Sequence, residues 1–228
     1  MTARLHFADA GEAADLAAFL ARLIHYDKAA AVRLQAAGDT LAVFGRPPSF
    51  EVLVVRTARL AKPYEHGLDA TLDVTVSAGE LLERVGASAE PVETAGVAEV
   101  PGAVTGPPWA GVLPPRGGWR PEPGLPAPEV MRALVRAAVA EFRSRVEELP
   151  AERRVRAELD RVGREIWSRT VGDTGLPVRA AHAAQSLGFL RGDDLTLLSS
   201  GAWLRLRTAY GSVVVRRAGV GGLSVTPA

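Results

Sequence analysis

The 228-residue chain has no cysteine. That excludes a disulfide framework, a thiolate zinc site, an iron–sulfur cluster on its usual ligands and a cysteine nucleophile. Lysine is nearly absent too, with Lys28 and Lys62 standing beside 25 arginines. Together with abundant alanine, glycine and proline, this is the bias a high-GC bacterial genome tends to encode. No window reaches the roughly 18 uninterrupted apolar residues of a membrane helix. The most apolar stretch, Ala13 to Ile24, carries Asp15 and Arg22, so no membrane partner is expected. The opening residues lack the basic start and apolar core of a secretory signal, and a cytoplasmic location is expected.

Motifs for familiar chemistry are missing as well. His6, His25, His66 and His182 are scattered and form no His-Glu-x-x-His pair, so no metal site is expected. Neither a Gly-x-Ser-x-Gly elbow nor a Walker loop occurs, and Gly219, Gly221 and Gly222 have no helix after them to receive a phosphate. The paired carboxylates Asp69/Asp73 and Asp193/Asp194 read as a wet strand face and a turn. No catalytic residue and no cofactor is assigned. An enzyme using His25 with Asp27, or His66 with Glu65, is the third-ranked reading.

What is present is a globular composition, 47% hydrophobic and 23% charged, with an uneven charge distribution. Residues 1–115 hold 9 basic and 14 acidic side chains, whereas residues 116–228 hold 18 basic and 12 acidic ones. A basic half of this kind suits an anionic partner, or the acidic half of the same chain.

Residues 1–86 read as an α+β unit. Arg4 to Phe7 forms a strand, and Asp9-Ala-Gly-Glu12 caps a helix that aligns Leu16, Phe19, Leu20 and Leu23. Ala31 to Ala37 and Leu41 to Phe44 make a hairpin about Gly38-Asp39; Phe50 to Leu60 and Leu68 to Val76 follow as strands. Ser77-Ala-Gly-Glu80 opens a short helix.

Residues 87–127 are rich in proline and glycine and read as a connector, with Trp109, Arg116 and Trp119 as a loop that docks on the chain itself or grips a partner. From Pro128 to Leu149, Met131, Leu134, Ala138, Phe142, Val146 and Leu149 recur at helical spacing. A second helix, Ala151 to Arg169, is expected to carry i,i+4 pairs such as Arg161/Glu165 and Glu165/Arg169, making an antiparallel helical hairpin about Pro150. A third helix spans Pro177 to Leu187, and strands near 195–198, 202–208 and 212–217 end in a β-hairpin.

In that hairpin, alternation turns Leu204 and Leu206 inward and Trp203, Arg205 and Arg207 outward, with Arg216 and Arg217 on the return strand. Three helices and a hairpin follow the element order of a winged-helix module, with Arg179, His182 and Gln185 on the recognition helix.

The order Ala3-Arg-Leu-His-Phe7, helix to Ile24, strands from Ala31 to Leu60, then Leu72-Asp-Val-Thr-Val-Ser-Ala-Gly-Glu-Leu-Leu82 resembles one half-domain of a DNA sliding clamp. The resemblance covers residues 1–86 and rests on element order, so no functional residue is carried over. Taken together, the sequence points to an α+β protein with three parts: residues 1–86, the connector 87–127 and the arginine-rich unit 128–228. The expected function is non-enzymatic binding of DNA or RNA, or of a protein on nucleic acid, through Trp203, Arg205, Arg207, Arg216, Arg217 and Arg179. The alternative is a protein-only adaptor or homodimerising scaffold.

Overall fold

A computed structural model of the chain describes residues 3–61, 72–88 and 96–217, with the side chains of 87 and 88 left aside. The chain is α+β and forms two compact units, Met1–Leu113 with Tyr210–Ser212 and Pro114–Ala209 with Val213–Ala228. No helix among the described residues is long and apolar enough to cross a membrane.

In the first unit, β1 (Arg4–His6) pairs antiparallel with β6 (Val97–Glu99), Leu5 opposite Ala98. β2 (Ala31–Ala37), β3 (Thr40–Gly45), β4 (Leu53–Arg59) and β5 (Leu72–Ser77) make an antiparallel sheet in the order β5-β2-β3-β4. The β2–β3 turn places Gly38 at φ +61°, a left-handed conformation that favours glycine, and sets Ala37 opposite Thr40. α1 (Ala10–Tyr26) starts where the Asp9 carboxylate accepts the Glu12 N–H at 3.0 Å. Its apolar stripe Leu16, Phe19, Leu20 and Leu23 is buried with Leu34 and Leu41 of the sheet and Leu81 of α2 (Ala78–Ser88). Across the free edge of β5 lies a strap. The Val104 N–H donates to the Thr75 carbonyl at 2.9 Å, Ala103 bridges Val76, and a side chain at Gly106 would press on Thr75. Residues of the expected connector therefore cover an edge that would otherwise be open to pairing.

The second unit has a sheet ordered β10-β9-β8-β7, from β7 (Arg120–Glu122), β8 (Leu195–Ser200), β9 (Trp203–Thr208) and β10 (Gly211–Arg216). Its helices are α3 (Pro128–Glu147), α4 (Arg156–Trp167) and α5 (Val178–Ser186). Leu197, Leu204 and Leu206 of the sheet and Met131, Val135, Val162 and Ile166 of the helices are all buried.

Residues 87–127, expected as a connector, run across the division at 113/114, and β6 and β7 are short strands, one joining each unit. Two expectations need correction. The helix expected from Ala151 begins at Arg156, because the Arg154 guanidinium folds back to donate to the Glu147 and Leu149 carbonyls at 2.8 and 3.0 Å, closing the end of α3. The winged-helix assignment fails in α5. Val178, Ala180, Ala181, Ala183 and Ala184 are buried and the helix has no fully exposed position, so it is a core helix and not one able to lie in a DNA groove. The expected strand residues 68–71, His66 with Glu65, and the glycines from 219 lie outside the described residues.

Two glycines lead to opposite expectations. Gly172 sits at φ +55° and an added Cβ would lie 2.9 Å from the Gly124 carbonyl oxygen. Gly172→Ala should destabilise the second unit by about 2 kcal/mol through left-handed strain and the backbone clash. Gly86, in α2 with open space around it, should become more stable on substitution by alanine, by about 0.5–1 kcal/mol. Urea denaturation midpoints check both.

Candidate functional site

The first unit contains a cavity of about 470 Å³ at the end of its sheet where β2 enters and β3 and β5 leave. That volume lies within the usual range of ligand pockets, about 300–1,000 Å³. Its walls are the α1–β2 loop (Asp27, Ala29, Ala30), Arg46 just past β3, Ser77 at the end of β5, and the strap from Val104 to Pro107 with Trp109. Each wall has a local cause. The Asp27 carboxylate accepts the Ala29 N–H at 2.9 Å, turning the chain out of α1 into β2. Pro107 and Pro108 open a single helical turn, Pro108–Gly111, which buries Ala110 and leaves Trp109 half-buried on the cavity wall. The Trp109 indole N–H and the Arg46 guanidinium have no hydrogen-bond or ion-pair partner among the described residues.

Beside the cavity, Tyr26 is 39% exposed and meets Phe50 edge-on with ring centroids 5.5 Å apart. Phe50 is buried between Ser49 and Glu51, both left-handed at φ +71° and +53°. Non-glycine residues in that region cost on the order of 1–3 kcal/mol each and tend to gather at functional sites.

The second unit presents the basic sheet face expected from the sequence. Leu204 and Leu206 are buried, Trp203 and Arg205 partly exposed and Arg207 exposed. The Arg205 guanidinium lies 5.7 Å from the centre of the Trp119 ring, whose N–H donates to the Pro115 carbonyl at 3.0 Å. Burial, and then the charge of Arg207, lower the Arg205 pKa from its ordinary value. Arg216 lies 5.3 Å from the centre of the Trp203 ring. Arg207 lines a polar hollow of about 430 Å³ shared with Asp193 and Asp194. Arg217 is ion-paired with Glu122, whose carboxyl is held below the usual range by a hydrogen bond from Ser199 and by Arg217. Arg179 on α5 is half-buried, and Arg116 is exposed on the loop before Trp119.

The structure thus brings Trp203, Arg205, Arg207 and Arg216 to one neighbourhood with Trp119, and separates Trp109 from Trp119 into different units. Sequence reasoning missed Arg46 and Asp27 as pocket walls. The legible signals were Trp109 inside a proline-rich loop and the strand break Gly45-Arg46-Pro47-Pro48. Of the residues considered for proton transfer, His25 is exposed and packs edge-on against Tyr26 at 5.6 Å. His182 stacks on Trp167 at 4.6 Å, and burial lowers its pKa.

Many arginines of the second unit are already engaged. Arg169–Glu141, Glu141–Arg145, Arg145–Glu165, Glu165–Arg161, Arg161–Glu158 and Glu158–Arg153 alternate in sign along the α3–α4 hairpin. Two links join the helices to each other, where the sequence suggested the pairing Glu165/Arg169 within one helix. Hydrogen bonds from Arg169, Arg153 and Arg145 lower the pKa values of Glu141, Glu158 and Glu165 respectively. Carboxylates depressed in the folded state stabilise it above their unfolded pKa, and that stabilisation is lost as pH falls through the folded value. The melting temperature of the second unit should therefore drop as pH is lowered below about 4.5, and high salt at neutral pH should weaken the same links. A pH and salt series of melting curves checks this.

Residues 1–111 match the family model described as a domain of unknown function (DUF8010), and residues 114–220 match a second, also described as a domain of unknown function (DUF8185). No curated protein matches the sequence. Among solved structures, the chain is similar to the Helicobacter pylori beta clamp in complex with 5-chloroisatin, with a TM-score of 0.53 and 9% identity over 99% of this chain and 65% of the clamp. It is similar to the Helicobacter pylori beta clamp bound to a DNA ligase peptide, with a TM-score of 0.51 and 11% identity over 95% of this chain and 66% of that one. The DNA polymerase III subunit beta from Pseudomonas aeruginosa gives a TM-score of 0.51 at 11% identity, over 100% of this chain and 68% of the subunit. The chain spans about two-thirds of the length of these clamps. At such identities the likeness is one of fold, and it extends the resemblance seen in residues 1–86 over nearly the whole chain.

Proposed function

We propose that the chain is a non-enzymatic, cytoplasmic binding protein of sliding-clamp fold, whose first unit captures a short peptide segment of a nucleic-acid-associated partner in the Trp109 cavity. One observation carries this reading. An indole face with an unused N–H and an unpaired guanidinium line the same preformed hollow, an arrangement suited to an apolar anchor residue with polar backbone beside it. The left-handed Ser49 and Glu51 nearby, and the likeness to a beta clamp bound to a DNA ligase peptide, support it. The test is selection of a displayed library of random twelve-residue peptides on the wild-type chain and on Trp109→Ala. Recovery of peptides that bind the first and not the second is expected. Recovery of none would overturn the reading.

A second reading is favoured by Arg207 and Arg216, which are exposed and have no carboxylate partner among the described residues. Here the sheet face of the second unit contacts nucleic acid through Trp203, Arg205, Arg207 and Arg216, with Arg217 and Arg179 behind them. Fluorescence anisotropy of labelled duplex and single-stranded DNA, at about 50 and about 200 mM salt, should then show affinity falling by at least about tenfold across the span. Arg207→Ala with Arg216→Ala should reduce both the affinity and the salt slope. No binding at the lower salt would exclude this reading.

A further inference from the structure

The first unit is acidic, yet its cavity is not. Among its described arginines, Arg4 and Arg84 pair with Glu99, Arg33 with Asp73, Arg56 with Asp15, and Arg59 with Asp9 and Glu12. Arg22 donates to the Ala18 carbonyl. Two cations remain without any partner among the described residues of this unit, Lys28 and Arg46, and of these Arg46 lines the cavity. Arg46 forms part of its wall, and Lys28 stands between the lining residues Asp27 and Ala29. The one carboxylate of the wall, Asp27, already has an oxygen engaged by the Ala29 N–H. Every other described cation of the unit has a use that explains its place. Arg46 shares its hollow with the indole of Trp109 and with Val104, Lys28 is its neighbour through the α1–β2 loop, and an unpaired cation gains from an ionised partner.

Resting on the peptide-capture reading above, we infer that the segment held in this cavity is acidic, with a carboxylate beside its apolar anchor that pairs with Arg46 and Lys28 while the anchor packs on Trp109. The positive rim also draws acidic segments in from solution, although the unit as a whole would repel them.

The test uses the Trp109-dependent peptides from the display selection, synthesised with their Asp and Glu residues intact and again as Asn and Gln, titrated against the full chain at about 50 mM salt. The acidic forms should bind at least about tenfold tighter, the magnitude of one hydrogen bond to a charged group. Combining Arg46→Gln with Lys28→Gln, two exposed positions that leave the core untouched, should remove that difference while Trp109 dependence persists. Equal binding of the two forms, Trp109-dependent peptides without acidic residues, or an acidic preference that survives the double substitution would each overturn the inference and leave the cavity as a peptide site. Absence of any Trp109-dependent peptide would remove both.

Discussion

Trp109→Ala is expected to weaken peptide capture by about 30-fold or more, the cost of truncating a tryptophan at the centre of a binding site. The indole forms one wall of the cavity and is half-buried in the absence of a ligand, so its removal opens the hollow to water. The fold should tolerate the change. The turn that carries Trp109 is closed by the Ala110 N–H donating to Pro107 at 2.9 Å and the Val112 N–H to Trp109 at 3.0 Å, backbone bonds that alanine keeps. Trp109→Phe, which keeps an aromatic face, should retain most of the affinity and lose only what the indole N–H contributes, about 0.5–1.5 kcal/mol. Binding isotherms of all three proteins, with urea midpoints alongside, separate a binding role from a structural one.

Phe19→Ala should give the largest loss of stability, about 3–5 kcal/mol from lost burial and the cavity left behind. Phe19 is 1% exposed, in a buried stripe with Leu16, Leu20 and Leu23. The consequence reaches the candidate site, because α1 delivers the loop from Asp27 to Ala30 that forms one side of the cavity. A loss of this size is a large part of the about 5–15 kcal/mol that holds a domain together. Peptide capture should therefore disappear at a lower urea concentration than in the wild type, and Trp109, the one tryptophan before residue 114, reports that transition.

Local signals carried most of the element order. Asp9 with Glu12 marked the start of α1, and the cap is formed; Gly38-Asp39 marked the β2–β3 turn, which has the expected register; Pro128 stands at the first position of α3. These are contacts between residues a few positions apart, so the sequence contains both partners of each. β6 and β7 were not legible, since three residues cannot display alternation and Pro121 argues against a strand except at an edge. α4 began late for a reason that no periodicity shows: Arg154 was needed elsewhere, at the carbonyls ending α3. The helix that looked suited to read DNA is alanine-rich because it is buried, and composition alone does not distinguish a small-residue surface from a small-residue interior.

The cavity was legible only in part. Trp109 is marked in the sequence as a loop residue that docks, but Asp27 and Arg46 lie more than 60 positions before it and Ser77 32 positions before it, and only the folded sheet brings them toward the strap. Arg46 carried no signal beyond its place before Pro47-Pro48. Its significance comes from having no partner in a unit where the other arginines do, and that is a property of the fold.

The most direct test of the account is fluorine NMR of the full chain labelled with 5-fluorotryptophan, titrated with a selected acidic peptide. The four resonances of Trp109, Trp119, Trp167 and Trp203 can be assigned by single phenylalanine substitutions. The account predicts a saturable shift of the Trp109 resonance, displaced to at least about tenfold higher peptide concentration in the Arg46→Gln, Lys28→Gln variant, with Trp119 and Trp203 unmoved. A saturable shift confined to Trp119 or Trp203, or binding that moves none of the four, would contradict it.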